Sequence, residues 1–117
     1  MHHHTDPAMH KAIELCWSCR DTCQSLLFTY CLQHGHNAPD HVRIMVDCIQ
    51  ICQASADFMT RNSPLHAAVC RACAQVCDAC ANSCEAFDDP EMKSCAEICR
   101  RCAESCRKMA GGMSAAA

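Results

Sequence analysis

Cysteine is the residue type with the most evident chemistry in this sequence, and it recurs at helical spacing. The chain holds 15 cysteines among 117 residues, together with 7 methionines and 8 histidines. Thiolate and thioether sulfur are the ligands that soft metal ions prefer, and thiols also form disulfides or act as nucleophiles. Most of the intervals between them are three or four residues. The positions are Cys16, Cys19, Cys23, Cys31, Cys48, Cys52, Cys70, Cys73, Cys77, Cys80, Cys84, Cys95, Cys99, Cys102 and Cys106.

A disulfide scaffold is the usual interpretation of so many cysteines in a short chain, and it fits this sequence poorly. Only 3 glycines and 4 prolines are present, so there is little loop-forming sequence, and 15 cysteines cannot all pair within one chain. Residues three or four apart on a helix have Cβ atoms about 5–6 Å apart, whereas a disulfide prefers about 3.8 Å. The wider gap suits a metal ion that bridges two thiolates.

The charge and the hydropathy pattern argue against two classes of partner. A formal net charge of −3 leaves no basic face for nucleic acid or anionic lipid. No apolar run approaches the roughly 18 residues that a membrane span requires. Residues 1–7 lack the apolar core of a secretory signal, so we expect a protein of the reducing cytosol, unless a native leader has been removed from the sequence.

Capping and turn residues divide the sequence into four helical segments of one domain spanning residues 1–117. The predicted helices are at about 6–34, 40–61, 64–87 and 90–109, with a flexible tail at 110–117. Asp6 and Asp89 each precede a proline, a pattern typical of a helix start, and Asp40 is the candidate cap of the second helix. Short connections favour antiparallel neighbours. The sequence therefore predicts an all-α, antiparallel up-down-up-down four-helix bundle.

The cysteines share one face of each predicted helix. At about 100° per residue, Cys95, Cys99, Cys102 and Cys106 fall within about 60° of arc. The other helices repeat this stripe, with Leu26/Leu27 or Ser55 in place of a thiol at some turns, and the alternation of three and four is that of a bundle interior. We therefore predict a Cys-lined core, although larger apolar residues would stabilise a bundle better.

Among soft-metal interpretations, the pattern favours Cu(I) over zinc and iron–sulfur clusters. A closed zinc site stops at four ligands, and the C-x2-C pairs Cys16/Cys19 and Cys70/Cys73 lie within helices rather than zinc knuckles. The sequence also lacks the C-x2-C-x2-C loop of ferredoxins. A continuous ladder of thiolates in a dry core selects a soft monovalent ion. Storage of Cu(I) is the favoured function, and the alternatives are a copper chaperone that binds few ions or a structural zinc or disulfide-stabilised helical module.

Electroneutrality predicts how such a core would load copper. A Cu(I) ion between two unshared thiolates carries a charge of −1, so about seven such sites would bury about seven negative charges at great cost. Sharing of thiolates brings the ratio towards one copper per sulfur, and we expect on the order of ten to fifteen Cu(I) per chain. A catalytic metal would need an open coordination position beside acid–base groups, which this sequence does not suggest, so we predict no enzymatic activity.

Histidine and methionine residues cluster at both ends of the predicted bundle. Imidazole and thioether groups can pass Cu(I) towards Cys31 and Cys84. We expect the entrance where the first connection meets the start of the last helix. Its candidate ligands are His34, His36, His41, Met45 and Met92. The candidate ligands of the opposite end are Met9, His10, Met59, His66 and Met109.

The repeated C-x3-C pairs resemble those of the bacterial copper storage proteins over nearly the whole chain. The pairs are Cys19/Cys23, Cys48/Cys52, Cys73/Cys77, Cys80/Cys84, Cys95/Cys99 and Cys102/Cys106. This resemblance implies a four-helix bundle that fills its interior with Cu(I) and assembles as a homotetramer. The lack of a twin-arginine leader makes the chain similar to the cytosolic branch. Ile13, Trp17 and Phe28 project away from the thiol face, where they either flank the core or form the contact between chains.

Overall fold

The computed structural model describes residues 6–111, which form four α-helices and a short π-helix without any strand. The helix α1 packs against α2 and α4, and α3 packs against the same two neighbours, so the helices form a square. This arrangement confirms the predicted all-α four-helix bundle. The single-domain prediction for 1–117 extends to residues outside the described range. The elements are α1 (Pro7–Leu26), the π-helix (Leu27–Cys31), α2 (Pro39–Thr60), α3 (His66–Glu85) and α4 (Pro90–Met109).

The order of the contacts along the two segments shows that α1 and α4 run antiparallel. Cys16, midway along α1, lies 3.5 Å from Cys106 near the end of α4, measured between Sγ atoms. At the other end, the Cys31 Sγ atom lies 3.7 Å from the Met92 Sδ atom at the start of α4. Short connections at 32–38, 61–65 and 86–89 reverse the chain between successive helices.

The helices α1 and α4 begin at the two Asp-Pro pairs. Asp6 Oδ1 accepts a hydrogen bond of 2.7 Å from the Met9 amide, and Asp89 Oδ1 accepts one of 2.9 Å from the Met92 amide. Proline follows each cap, where the missing N–H is not needed by the helix. Both starts therefore follow from the local sequence.

The starts of α2 and α3 differ from the expectation. Asp40 is not the cap of α2, because Pro39 already occupies the first helical turn and Ala38 holds the cap position. The Asp40 carboxylate instead pairs with Arg43 at 2.9 Å. Ser63 accepts a hydrogen bond from the Leu65 amide in the turn before α3, and this helix begins at His66 rather than at 64.

The π-helix explains how the segment after α1 keeps its side chains directed into the Cys-lined core. After Cys23 the inward positions are Leu27 and Cys31, two steps of four that would rotate Cys31 by about 80° in a regular α-helix. Bonds from the Leu32 amide to the Leu27 carbonyl (3.1 Å) and from the His36 amide to the Cys31 carbonyl (2.9 Å) span five residues. The wider turn accommodates the extra residue. Leu27 and Cys31 are therefore both fully buried, and the predicted continuous helix at 6–34 is interrupted by this segment.

The core consists of the cysteines with alanines, methionines and Leu27 between them. All 15 cysteines are fully buried. Ile13 is also buried, whereas Trp17 and Phe28 are 41% and 56% exposed, so only Ile13 of these three belongs to the core. Ala110 packs onto the end of the bundle and its carbonyl accepts a bond from Arg71. The rest of the predicted flexible tail, from residue 112, and residues 1–5 lie outside the described range.

Within residues 6–111, none of the helices has the length and apolar character needed to cross a bilayer.

Replacing Leu27 with alanine should lower the free energy of unfolding of the copper-free protein by about 2–5 kcal/mol. The change removes a fully buried side chain of the π-helix and would leave a cavity in its place. Leu65→Ala is the matched control, because Leu65 lies just before α3 and is 64% exposed, and it should cost less than about 1 kcal/mol. Urea denaturation measures both, and equal losses in the two variants would contradict the assignment of Leu27 to the core.

Candidate metal centre

A continuous column of thiols follows the axis of the bundle. All 15 cysteines are free, and sulfur contacts of 3.5–4.0 Å form an unbroken series from Cys95 to Cys106. The series passes through Cys95, Cys23, Cys48, Cys77, Cys52, Cys102, Cys16 and Cys106. Cys19, Cys73 and Cys99 contact members of this series from the side.

Most of the thiol contacts join different helices. Cys52 of α2 lies 3.9 Å from Cys73 and 3.7 Å from Cys77, both on α3, and 4.0 Å from Cys102 on α4. Within a single helix, Cys73 and Cys77 of α3 approach to 3.8 Å between sulfurs. Thiols from three helices can therefore contribute to one site, and bridging along a helix stays a prediction.

These spacings fit metal coordination rather than disulfides. A disulfide bond is about 2.05 Å long. Three sulfurs bonded to one ion at about 2.3 Å would lie about 4.0 Å apart. The Cys52 thiol and its neighbours are therefore close enough to share ions with little movement, and an ion held by them would connect α2, α3 and α4.

Metal binding requires loss of the thiol protons, and the surroundings affect this loss differently along the column. The hydrogen bond with Cys102 lowers the pKa of Cys16 to about 6, and contacts led by Cys23 lower the pKa of Cys80 to about 7. Burial raises the pKa of Cys31 to about 11, and Cys80 raises the pKa of Cys84. Part of the column can therefore supply thiolate near neutral pH, whereas Cys31 keeps its proton until a metal ion displaces it.

Near Cys106, at one end of the thiol series, the core contains the hydroxyl group of Ser55. Ser55 Oγ lies 3.3 Å from the sulfur of Cys70 and 3.9 Å from that of Cys106. Ser55 is fully buried. It links Cys70 to the thiol series by hydrogen bonding, but a hydroxyl is a poor ligand for a soft ion. The number of sulfur ligands is thus reduced at this level.

Four of the predicted ligands meet at the end where α1 leads into α2. The Cys31 sulfur lies 3.5 Å from His41 Nε2, 3.8 Å from the Met45 sulfur and 3.7 Å from the Met92 sulfur. We call Cys31, His41, Met45 and Met92 the mouth cluster. Three of these side chains are fully buried and His41 is 4% exposed. The cluster offers thiol, imidazole and thioether ligands directly above the thiol column.

A hydrogen bond with Ser83 fixes the orientation of His41. The Nδ1 atom of His41 lies 2.8 Å from Ser83 Oγ, and burial lowers the pKa of the ring. The tautomer that donates from Nδ1 to Ser83 leaves the Nε2 lone pair directed at Cys31. Ser83 was not identified in the sequence, because it carries no soft ligand and its role depends on a contact between α2 and α3.

Two other histidines predicted at this end lie outside the mouth cluster. His34 is exposed, stacks on the Tyr30 ring and bonds through Nδ1 to the Tyr30 carbonyl at 2.9 Å. His36 Nε2 lies 2.7 Å from Asp89 Oδ2, which also accepts a bond of 3.0 Å from the Tyr30 hydroxyl. The hydrogen bond with His36 lowers the pKa of Asp89. Both histidines therefore contact groups other than the four ligands of the mouth cluster.

Aromatic rings close the bundle above the mouth cluster. The Phe87 ring centroid lies 4.0 Å from that of His36 and 4.8 Å from that of His41. Tyr30 meets His36 edge-on at 5.6 Å. We call Tyr30, His36, Phe87 and Asp89 the cover. It holds the first connection against the start of α4.

The opposite end brings its predicted ligands together less closely. Met59 is fully buried and Met9 is nearly so, while Met109 is half-buried. His66 bonds to the Ser63 carbonyl, and His10 pairs with Glu14 on the exposed face. Among the contacts of the described residues, none within hydrogen-bonding distance joins these five side chains to a thiol.

Lowering the pH below about 6.5 should reduce the stability of the copper-free protein through His41. Because burial lowers the His41 pKa, the unfolded chain takes up this proton at a higher pH than the folded chain does. Stability is therefore complete above about pH 6.5 and decreases as pH falls towards the lowered pKa. Denaturation between pH 7 and 5 should show a weaker pH dependence in His41→Gln. Equal slopes in His41→Gln and in the unsubstituted protein would contradict this assignment.

A family model and two of the similar solved structures carry the same family name. The family described as copper storage protein matches residues 5–111. The Nmul_A1745 protein from Nitrosospira multiformis is 44% identical, with a TM-score of 0.87 over 92% of this chain and 98% of that chain. The apo form of copper storage protein 3 from Bacillus subtilis is 35% identical, with a TM-score of 0.80 over 86% and 97%. The Cu(I)-bound copper storage protein BsCsp3 is 33% identical, with a TM-score of 0.82 over 88% and 98%. A comparison with curated proteins gives no match.

Proposed function

Because this chain belongs to the copper storage protein family, we propose that its thiol column stores many Cu(I) ions through shared cysteine thiolates. The observation that carries this function is the unbroken series of sulfur contacts at 3.5–4.0 Å through a fully buried core. A similar protein, BsCsp3, has been solved with Cu(I) bound. The column gives every stored ion soft ligands and keeps it away from water.

The charge of the core supports a high loading. Among the described residues, the buried polar side chains are His41 and Ser55, so no lysine or arginine inside the column can balance thiolate charge. Unshared pairs of thiolates would leave about one negative charge per copper in a low-dielectric interior. With thiolates shared between ions, the column approaches neutrality at one Cu(I) per sulfur. The 15 cysteines then correspond to on the order of ten to fifteen ions.

An anaerobic titration of the reduced protein with Cu(I), in competition with a chromophoric chelator, tests storage. The protein should withhold copper from the chelator until on the order of ten to fifteen ions per chain have been added. Saturation at one or two ions would contradict storage and would instead be the behaviour of a chaperone. A count of reactive thiols before loading separates a disulfide-stabilised module, which would show few.

We propose that copper enters through the mouth cluster. Its four ligands lie next to one another at the end of the column, and they come from the π-helix, α2 and α4. Neutral imidazole and thioether groups bind Cu(I) without adding charge, so an ion can pass from them to the thiolates below. The opposite end offers methionines without an equivalent set of contacts among the described residues.

The cover regulates access to this entrance, and Asp89 is the residue that keeps the cover closed. Replacing Asp89 with asparagine keeps a good helix cap but removes the charge that pairs with His36. Copper loading, followed by stopped-flow absorbance, should become about five times faster, with unchanged capacity, because the cover opens more often. Asp6→Asn, the same change at the cap of α1 at the other end, is the matched control and should load at the original rate. Equal rates in both variants would place the entrance elsewhere.

We further propose assembly into a homotetramer and a location in the cytosol. Trp17, Phe28 and Leu32 are exposed along α1 and the π-helix, an apolar surface of the kind that assembly covers. Light scattering of the purified chain should give the mass of four chains, and Phe28→Lys should lower it.

Fifteen free thiols fit a reducing compartment, and the absence of acid–base groups around the column fits a store better than an enzyme.

A further inference from the structure

One part of the thiol column has the dimensions of a tetrahedral site with four cysteine ligands. Zinc–sulfur bonds of about 2.3 Å place neighbouring sulfurs of such a site about 3.8 Å apart. The Cys19 sulfur lies 3.7 Å from Cys48 and 3.7 Å from Cys99. The Cys23 sulfur lies 3.9 Å from Cys48 and 3.7 Å from Cys99. Four edges of the tetrahedron therefore have the zinc length, and we call these residues the first tetrahedral set.

A second group of four thiols repeats this geometry further down the column. Cys52 lies 3.9 Å from Cys73, 3.7 Å from Cys77 and 4.0 Å from Cys102, measured between sulfurs, and Cys73 lies 3.8 Å from Cys77. We call these residues the second tetrahedral set. In each set all four sulfurs lie within 4.8 Å of one another, and every thiol is fully buried.

We propose that the copper-free chain binds two Zn(II) ions, one in each tetrahedral set. Four cysteine sulfurs in a tetrahedron are the preferred surroundings of Zn(II), which has no redox chemistry and no competing geometric preference. Each ion displaces the protons of the thiols that it binds, and no electron transfer is involved. This inference rests on the geometry of the thiols alone and does not depend on copper storage.

The overlap between tetrahedral groups limits the number of zinc ions to two. Two further groups of four thiols are equally compact among the described residues, and both share members with the sets above. These groups are Cys16/Cys73/Cys102/Cys106 and Cys19/Cys48/Cys52/Cys77. Two of the four groups can be filled without a shared thiol, but no three of them can. The limit is therefore two ions, whichever pair of groups is occupied.

The charge of the column makes zinc the weaker occupant. Zn(II) bound by four thiolates carries a charge of −2, whereas Cu(I) at one ion per shared thiolate carries none. No buried cation among the described residues balances the zinc sites. The second Zn(II) should therefore bind more weakly than the first, and Cu(I) should displace both. Until copper arrives, eight thiols would be held as zinc thiolates.

The experiment titrates anaerobic, reduced, copper-free protein with Cd(II), whose thiolate complexes absorb in the ultraviolet, and with Zn(II) in competition with a zinc dye. Two ions per chain should bind, and X-ray absorption at the zinc edge should give four sulfur neighbours. Addition of Cu(I) should then release both zinc ions to the dye. No binding, saturation at one ion or at three or more, or fewer than four sulfurs per zinc would overturn the proposal.

Two neighbouring cysteines provide a matched pair of variants. Cys48 and Cys77 are both fully buried, and their sulfurs are 3.8 Å apart. Cys48→Ser removes a ligand from two of the four groups of thiols. The other two groups share thiols and cannot both be filled, so one Zn(II) should bind. Cys77→Ser also destroys two groups but leaves two without a common thiol, so two Zn(II) should still bind. Cys102→Ser gives a second test of the loss and should bind one ion. Equal stoichiometry in Cys48→Ser and Cys77→Ser would contradict the assigned sets.

The failure of this inference is distinguishable from the failure of copper storage. A chain that stores many Cu(I) ions but binds no zinc would contradict only the tetrahedral sites. Two bound zinc ions, together with saturation at one or two copper ions, would support the tetrahedral sites and contradict storage.

Discussion

Loading the column with Cu(I) should raise the thermal unfolding temperature of the protein by more than about 20 °C. A ligand that binds only the folded state at a thousand times its Kd stabilises that state by about 4 kcal/mol. About 1 kcal/mol corresponds to a shift of about 4–8 °C in a domain of 60–100 residues, and slightly less in a longer one. A few ions of this affinity are therefore enough. Contacts such as those of Cys52 with Cys77 and Cys102 also mean that bound copper would tie several helices together.

Far-UV circular dichroism during heating measures this shift. The copper-free chain should already be helical at 25 °C, because Leu27, Met45, Met59 and Met92 are fully buried apolar side chains and two helices have side-chain caps. Removal of copper with a strong Cu(I) chelator is the control and should restore the original transition. A coil without copper, or a shift of only a few degrees on loading, would contradict the proposed role of the column.

Replacing Cys48, Cys52 and Cys77 together with serine should reduce the copper capacity by more than the three thiols removed. These residues lie at the centre of the column, where Cys77 contacts both of the others at 3.7–3.8 Å. Because they also contact Cys19, Cys23, Cys73 and Cys102, those thiols lose bridging partners as well. We expect the capacity to fall by more than three ions from its original value, which is on the order of ten to fifteen.

A matched control adds three hydroxyl groups to the core without removing sulfur. Ala56, Ala81 and Ala103 are fully buried, and the triple variant Ala56→Ser, Ala81→Ser, Ala103→Ser should keep the full capacity if it folds. Circular dichroism checks the fold of both variants, and copper analysis after gel filtration gives the number of ions retained. A cysteine variant with unchanged capacity would show that copper binds outside the column.

The sequence predicts the helices and their inward faces because one requirement acts on every turn. A helix in a bundle must turn one stripe towards its neighbours, so a spacing of three and four residues indicates which side chains are buried. The caps at Asp6 and Asp89 act locally and are equally visible. The fully buried state of the cysteines follows from this periodicity.

The features that the sequence does not reveal depend on contacts between distant segments. The choice of Cys102 as a neighbour of Cys16 depends on how far each helix is shifted along the axis, which periodicity does not specify. The spacing of four residues between Leu27 and Cys31 does not by itself predict a π-helix. A regular α-helix could have the same spacing if it turned Cys31 away from the core. His36 was predicted as a ligand from its residue type, but the position of Asp89 in the fold makes it part of the cover.

Native mass spectrometry of the fully loaded protein is the most direct test of the central claim, that shared thiolates fill the column with Cu(I). The added mass gives the number of copper ions per chain, and the account predicts on the order of ten to fifteen for 15 cysteines. About seven ions would mean that each copper uses its own pair of thiolates and would contradict sharing. One or two ions would contradict storage itself.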